Sequence, residues 1–217
     1  MGKQRKLAAP FIVWIIIGTV IPIMSITYYG FTSSEGGFTL KNIFAITDSQ
    51  HLKALGLSLA LSAISTLICL ILAFPMAMIL KNSKFGKSGF VIFVFILPMW
   101  MNFLLRTMAW QVLLEKKGVI NSILGIFGLP GQSLMNTPKA IILGMVYDFL
   151  PFMILPIYNS VIKIDRHIID AAYDLGASPY ITYKKIIIPL ALPGIISGIT
   201  MVFIPALTTF VISNMLG

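Results

Sequence analysis

Apolar residues along this chain fall into five long runs, separated by shorter polar segments rich in glycine and proline. The runs extend roughly from Leu7 to Tyr29, Ala54 to Leu80, Ser88 to Leu114, Ala140 to Val161 and Ile186 to Ile212. Crossing the ~30 Å hydrocarbon layer takes about 20 mostly apolar residues in a helix, and all five are long enough. The pattern therefore predicts an all-α, polytopic membrane helix bundle. The first run follows Lys3, Arg5 and Lys6 but exceeds the about 7 to 15 residues of a cleavable signal core. No small-residue cleavage pattern follows Tyr29, so this run is expected to stay as an anchor. Between runs, the segment from Gly30 to Lys53 is turn-rich. The segment from Glu115 to Pro138 contains VINSILGIFGL, whose apolar spacing before Leu129, Pro130 and Gly131 predicts a short helix at the outer interface. That helix either caps the bundle or touches a partner. Prolines inside the runs, at Pro22, Pro75, Pro98, Pro151, Pro156, Pro193 and Pro205, predict kinks.

Composition makes the bilayer the solvent: 58% hydrophobic residues and a mean hydropathy of +0.94 exceed what a 217-residue globule can hide. Charge then sets orientation, because cytoplasmic segments carry the excess of Lys and Arg. With the amino terminus inside, the inner segments hold ten (Lys3, Arg5, Lys6, Lys81, Lys84, Lys87, Lys163, Arg166, Lys184, Lys185), and the outer ones five (Lys41, Lys53, Lys116, Lys117, Lys139). The net charge of +9 is mostly this bias, and there is no exposed basic domain to take a nucleic acid. Cys69 stands alone in the second run, and His51 and His167 fall on opposite sides of the membrane, so no metal site is expected. Gly86, Lys87 and Ser88 resemble the end of a phosphate-binding loop, but the position five before Gly86 is Lys81 rather than glycine. Seven scattered acidic residues form no catalytic constellation. Neither an enzyme nor a cofactor is expected.

The segment DAAYDLGASPYITYKKIIIP interrupts the apolar pattern between the fourth and fifth runs. Ile164, Ile168, Ala171, Ala172 and Leu175 recur at helical spacing, with Asp165, Arg166, Asp170 and Asp174 filling much of the rest. Gly176 permits a left-handed turn, and Ser178 before Pro179 has the form of an N-cap followed by proline at the first helical position. A second short helix, Pro179 to Lys185, then leads into the last run. Helix, tight turn and helix at the cytoplasmic surface suit either a lever seated in a partner's groove or an interfacial link between two spans.

Asp170, Ala171, Ala172, three residues, Gly176, nine residues, then Ile186, Ile187, Ile188 and Pro189 resemble the EAA loop of permease subunits in binding-protein-dependent ABC importers. Asp170 replaces the family's Glu and Ile188 its Leu, keeping charge and apolarity. LPMWMNFLLRTMAW, GVINSIL, YDFLPFMILPIY and DLGASPYITYKKIIIPLALPGIISG are similar to the spermidine/putrescine subgroup of that family. The resemblance implies one transmembrane permease domain of the type I ABC importer fold over 1–217, with residues 162–189 as the cytoplasmic coupling loop. It implies six spans, so that a sixth is expected beyond the fifth run. It also implies separate ABC ATPase subunits docking on Asp170, Ala171, Ala172, Leu175, Gly176, Ile186 and Pro189, a second permease subunit, an extracytoplasmic solute-binding protein, and a bacterial inner-membrane location. The function implied is ATP-driven import of a small solute, a polyamine first among them, by alternating access.

Two charges lie inside runs, Arg106 and Asp148. An intramembrane ion is costly unless paired or hydrated. Eight residues from the outer end of each run puts both about 12 Å deep, so they are able to meet. One reading is a buried salt bridge that fixes helix register. The other has Asp148 and Tyr147 lining the cavity and receiving a cationic amine, with aromatic faces such as Trp100 or Trp110 assisting. Arg106 facing the cavity would instead favour an anion or another small solute. A secondary transporter or channel would call for inverted repeats, spans broken in both halves and more buried carboxylates, none of which the sequence displays.

Overall fold

In lipid every backbone polar group must bond within its own segment, so apolar runs of this length become helices. The computed structural model describes residues 10–33, 36–83 and 90–217, which divide into two compact units, Met1–Leu57 and Ser58–Gly217. The basic residues Lys3, Arg5, Lys6, Lys84 and Lys87, the start of the first and third runs, and the Gly86–Lys87–Ser88 stretch lie outside the described residues.

In the first unit, α1 (Pro10–Gly30) has the length and apolarity of a span and buries none of its side chains. The segment after it is more ordered than its turn-rich sequence suggests. Thr32 and Phe38 form an isolated antiparallel bridge, the Phe31 and Phe38 rings stack at 5.7 Å, and the Asn42 carboxamide donates to the carbonyls of Tyr29 and Thr32 at 3.2 and 3.1 Å. A short helix, α2 (Lys41–Phe44), follows. Helix α3 (Ser49–Asn82) carries the boundary between the units and takes up residues 49–53, placed by sequence in the loop.

The second unit continues with α4 (Phe90–Ile96), a 3-10 turn (Leu97–Trp100), α5 (Phe103–Leu114), α6 (Val119–Ile126), α7 (Pro138–Val161), α8 (Arg166–Asp174), α9 (Pro179–Thr208) and α10 (Phe210–Leu216). The expected outer-interface helix is α6, opening at Gly118. Its buried Asn121 donates to the carbonyls of Glu115 and Gln132 and accepts from the Gln132 amide, which closes the loop back onto the helix.

The third run is not one straight span. Its two halves meet at 90°. Pro98 sits in the 3-10 turn, Met101 is extended (ψ 143°), and the Asn102 side chain accepts from the Leu104 amide at 2.8 Å, capping α5 as a new helix. The broken element still makes a crossing. Ser65 of α3 touches Met145 of α7 (3.5 Å), and Lys81 Nζ, near the other end of α3, donates to the Ile164 carbonyl just beyond α7 (3.1 Å). The two helices therefore run in the same direction, and the chain between them must return across the bilayer.

The fifth run is also redrawn. It starts as early as Pro179 and ends at Thr208, where Thr209 turns extended (ψ 109°), so Ile212 belongs to α10. Two π-turns, Ile16–Val20 and Tyr183–Ile187, each end two residues before a proline, Pro22 and Pro189. Proline has no amide to donate and crowds the carbonyl four residues back. Widening the preceding turn, so that the Ile188 amide reaches Tyr183, moves that carbonyl aside.

Helices α7 and α9 cross in close contact through Gly194 and Gly198, a small-xxx-small pair. A Cβ at Gly194 would collide with the Pro156 carbonyl and Ser160, and one at Gly198 would lie 2.7 Å from the Met153 sulfur. Gly194→Leu is expected to lower the thermal midpoint of the detergent-solubilised protein, at the about 1–3 kcal/mol typical of overpacking or beyond. An unchanged melting curve would refute the tight crossing.

Candidate functional site

Two regions carry chemistry beyond packing, both in the second unit. The first is the loop after α7. The Asp165 carboxylate accepts from the His167 amide (3.0 Å) and so caps α8, a role that helical spacing, which sets Asp165 on the polar face, does not disclose. At the other end, Gly176 has φ +82°. The Ala177 amide donates to Ala172 and the Gly176 amide to Tyr173, both at 2.9 Å, which is the two-bond Schellman closure. The Ser178 hydroxyl then accepts from Ile181, and Pro179 opens α9. The turn is held from both sides.

Which face of α8 is buried differs from the periodicity reading. Ile164 and Ala172 are buried and Ile169 half-buried, whereas Ile168, Ala171 and Leu175 are exposed, Leu175 at 89%. The apolar residues lie on two sides of the helix, and Ile168, Ala171 and Leu175 form an outward stripe at i, i+3 and i+7. Asp170 is exposed and pairs with Arg166 at 3.8 Å. Behind α8 a cavity of about 650 Å³ is bounded by Met78, Lys81, Ile164, Ile169, Tyr173 and Tyr183, so the loop is braced at its ends more than along its back. Ile186 is half-buried and Pro189 exposed, both beside the π-turn.

The second region lies within the bilayer. Arg106 of α5 and Asp148 of α7 are 7% and 1% exposed, with Nε to Oδ1 at 3.3 Å. The approach lacks hydrogen-bond geometry, and neither carboxylate oxygen has a hydrogen-bond partner among the described residues. The attraction is charge on charge. One helical turn from Arg106, the Trp110 ring meets Tyr147 edge-on with centroids 5.3 Å apart. Arg106, Trp110, Tyr147 and Asp148 are thus brought together on facing helices. Trp100 is not, because the 90° bend carries it to Phe93, at 6.1 Å. No group of three or more potential metal ligands occurs among the described residues.

No protein-family model matches the chain. Individual proteins do. The spermidine/putrescine transport system permease protein PotB of Escherichia coli K12 is 36% identical over 94% of this chain and 77% of its own length. The PotB of Haemophilus influenzae is 33% identical over 100% and 79%. The chain belongs to this permease family. Among solved structures, a bacterial ABC transporter involved in import of the acidic polysaccharide alginate superposes with a TM-score of 0.73 at 18% identity, covering 88% of this chain and 68% of that one, a likeness of fold.

Family membership fits the geometry. The chain is a transmembrane permease subunit of an ABC importer rather than an enzyme, and ATP hydrolysis belongs to a separate subunit. An all-α membrane bundle with four span-length helices and one broken pair among the described residues is the permease fold seen here.

Proposed function

We propose that this permease imports a polyamine across the bacterial inner membrane, driven by ATPase subunits that dock on the cytoplasmic loop 162–189. The observation that carries the cargo is the 36% identity with a spermidine/putrescine permease over 94% of the chain. The loop geometry supports the mechanism. Ile168, Ala171 and Leu175 offer an apolar stripe with one small residue, where a partner groove would approach closely, and the Gly176 turn joins α8 rigidly to α9. Push on α8 is handed to α9, which crosses α7 without slack at Gly194 and Gly198. Ala172, being buried, shapes this joint rather than touches the ATPase, whereas exposed Asp170 and Pro189 and half-buried Ile186 stay within reach of it.

The amino terminus lies inside, by the ten-to-five distribution of Lys and Arg. A second permease and an extracytoplasmic solute-binding protein complete the assembly. One solved neighbour is an alginate ABC transporter in complex with its oligosaccharide-bound periplasmic protein. When the cargo path opens at this level, Asp148 next to Tyr147 and Trp110 attracts a cationic amine, while Arg106 holds Asp148 in place.

The test is uptake of labelled spermidine and putrescine by cells devoid of other polyamine transport, expressing this chain with its neighbouring ATPase, permease and binding protein. The expected result is ATP-dependent accumulation, competed by unlabelled polyamine and not by amino acids or sugars. Accumulation of an uncharged or anionic solute instead would overturn the cargo assignment.

A further inference from the structure

A cavity of about 470 Å³ opens where α9 breaks, bounded by Ser58, Leu207, Thr208, Thr209, Ser213 and Asn214. Its volume lies within the range of small-molecule sites, about 300–1,000 Å³. Five of its six lining residues carry a hydroxyl or carboxamide and none a charge. We infer that this cavity is a mouth site that receives an ammonium group of the cargo before it reaches the Arg106–Asp148 level, an inference that rests on the polyamine reading above.

Position comes first. Helices α3 and α7 run from the outer to the inner face, and α9 runs against α7, since Gly198 meets Met153 while Gly194, nearer the inner end of α9, meets Pro156 and Ser160 further along α7. The last residues of α9 thus lie at the outer end. Further along, the Asn136 amide, just before α7, donates to the Leu216 carbonyl at the end of α10 (2.9 Å). The cavity faces the side from which an importer takes its cargo.

Chemistry comes second. A helix ends with carbonyls that lack intrahelical donors and with the negative pole of its dipole, and discontinuous membrane helices use such ends for cations. At the end of α9 the Thr208 hydroxyl spends its proton on the Ile204 and Pro205 carbonyls, at 3.1 and 3.3 Å, which leaves its oxygen as an acceptor. Thr209 occupies the N-cap position of α10, yet its side chain makes no capping bond. Asn214 is exposed on the rim. An ammonium group has three donors and no acceptor, so it matches this array of oxygens. No lining side chain carries a positive charge that would draw an anion. A neutral acceptor array also holds a cation without trapping it, which conduction through successive sites requires.

Two substitutions of opposite charge at Asn214 separate this site from a merely structural patch. Spermidine uptake is measured in proteoliposomes containing the complete transporter, with membrane insertion and ATP hydrolysis followed in parallel. Asn214→Asp is expected to lower the half-saturating spermidine concentration about threefold or more. Asn214→Lys is expected to raise it at least about tenfold, with hydrolysis within twofold of wild type. A fold defect moves both variants the same way. Thr209→Val, close in shape but without the hydroxyl, is expected to shift it upward as well. If wild type itself takes up no spermidine, the proposed function fails. If wild type does so and both Asn214 variants match it or shift together, the mouth site alone is refuted.

Discussion

Replacing Gly176 with valine is expected to cut solute uptake at least about tenfold while the assembled transporter continues to hydrolyse ATP. Gly176 holds φ +82°, and a Cβ there would meet nothing within 4 Å. Space is therefore not the obstacle. The obstacle is the backbone: the left-handed region costs an L-residue roughly 1–2 kcal/mol, more when Cβ is branched. About 1.4 kcal/mol is a factor of ten, so valine would favour a different turn and surrender the paired bonds from Ala177 to Ala172 and Gly176 to Tyr173. If the ATPase docks as proposed, loosening that joint leaves α8 free to move without moving α9. Asparagine, which tolerates the left-handed region better, should retain most uptake. The check is the number of ATP molecules consumed per solute imported. A valine variant with wild-type stoichiometry would remove the turn from the mechanism.

Asp148→Asn is expected to destabilise the protein severely, lowering both its level in the membrane and its thermal midpoint. The change leaves the Arg106 guanidinium buried at 7% exposure without a counter-charge, and breaking one side of a buried pair typically costs about 3–5 kcal/mol. Exchanging the two residues, Arg106→Asp with Asp148→Arg, restores charge balance at nearly the same place. Recovery of stability and uptake together would make the pair a register pin. Recovery of stability without uptake would give Asp148 a direct part in the cation path. A single Asp148→Asn variant that is stable and fully active would sink both readings.

The parts of the fold that were legible in the sequence are those decided locally. Gly176, Ser178 and Pro179 act within a few residues of themselves, so the turn and the second helix start were readable. The fourth run, drawn from Ala140 to Val161 on hydropathy, starts two residues late, because the start at Pro138 is set by the Thr137 cap rather than by apolarity. Pro98 announces a kink in the third run, but the full break at Met101 and Asn102 is hidden, since one asparagine between Met101 and Phe103 barely lowers the hydropathy of the run. The signal available was an N-cap residue four positions after Pro98. Trp100 is expected as one of the aromatic faces beside Asp148, and the bend takes it to Phe93 instead. On α8, periodicity registered two apolar sides as one. Helical spacing does not say whether Leu175 is covered by its own chain or left for another. Asn121 escaped notice because its three bonds reach residues six and eleven positions away.

Helix α3 has 34 residues and is thus a rod of about 51 Å, against a hydrocarbon layer of ~30 Å. It has to lean, protrude or both, and leaning is the usual accommodation for excess apolar length. Its C-terminal end is tied by Lys81 to the Ile164 carbonyl, at the start of the loop proposed above to couple to the ATPase. Lipid tail length therefore becomes a mechanical input: a thinner membrane tips the rod further and drags Ile164 sideways, and a thicker one stands it upright. The resting posture of the loop is set in part by the fat around it.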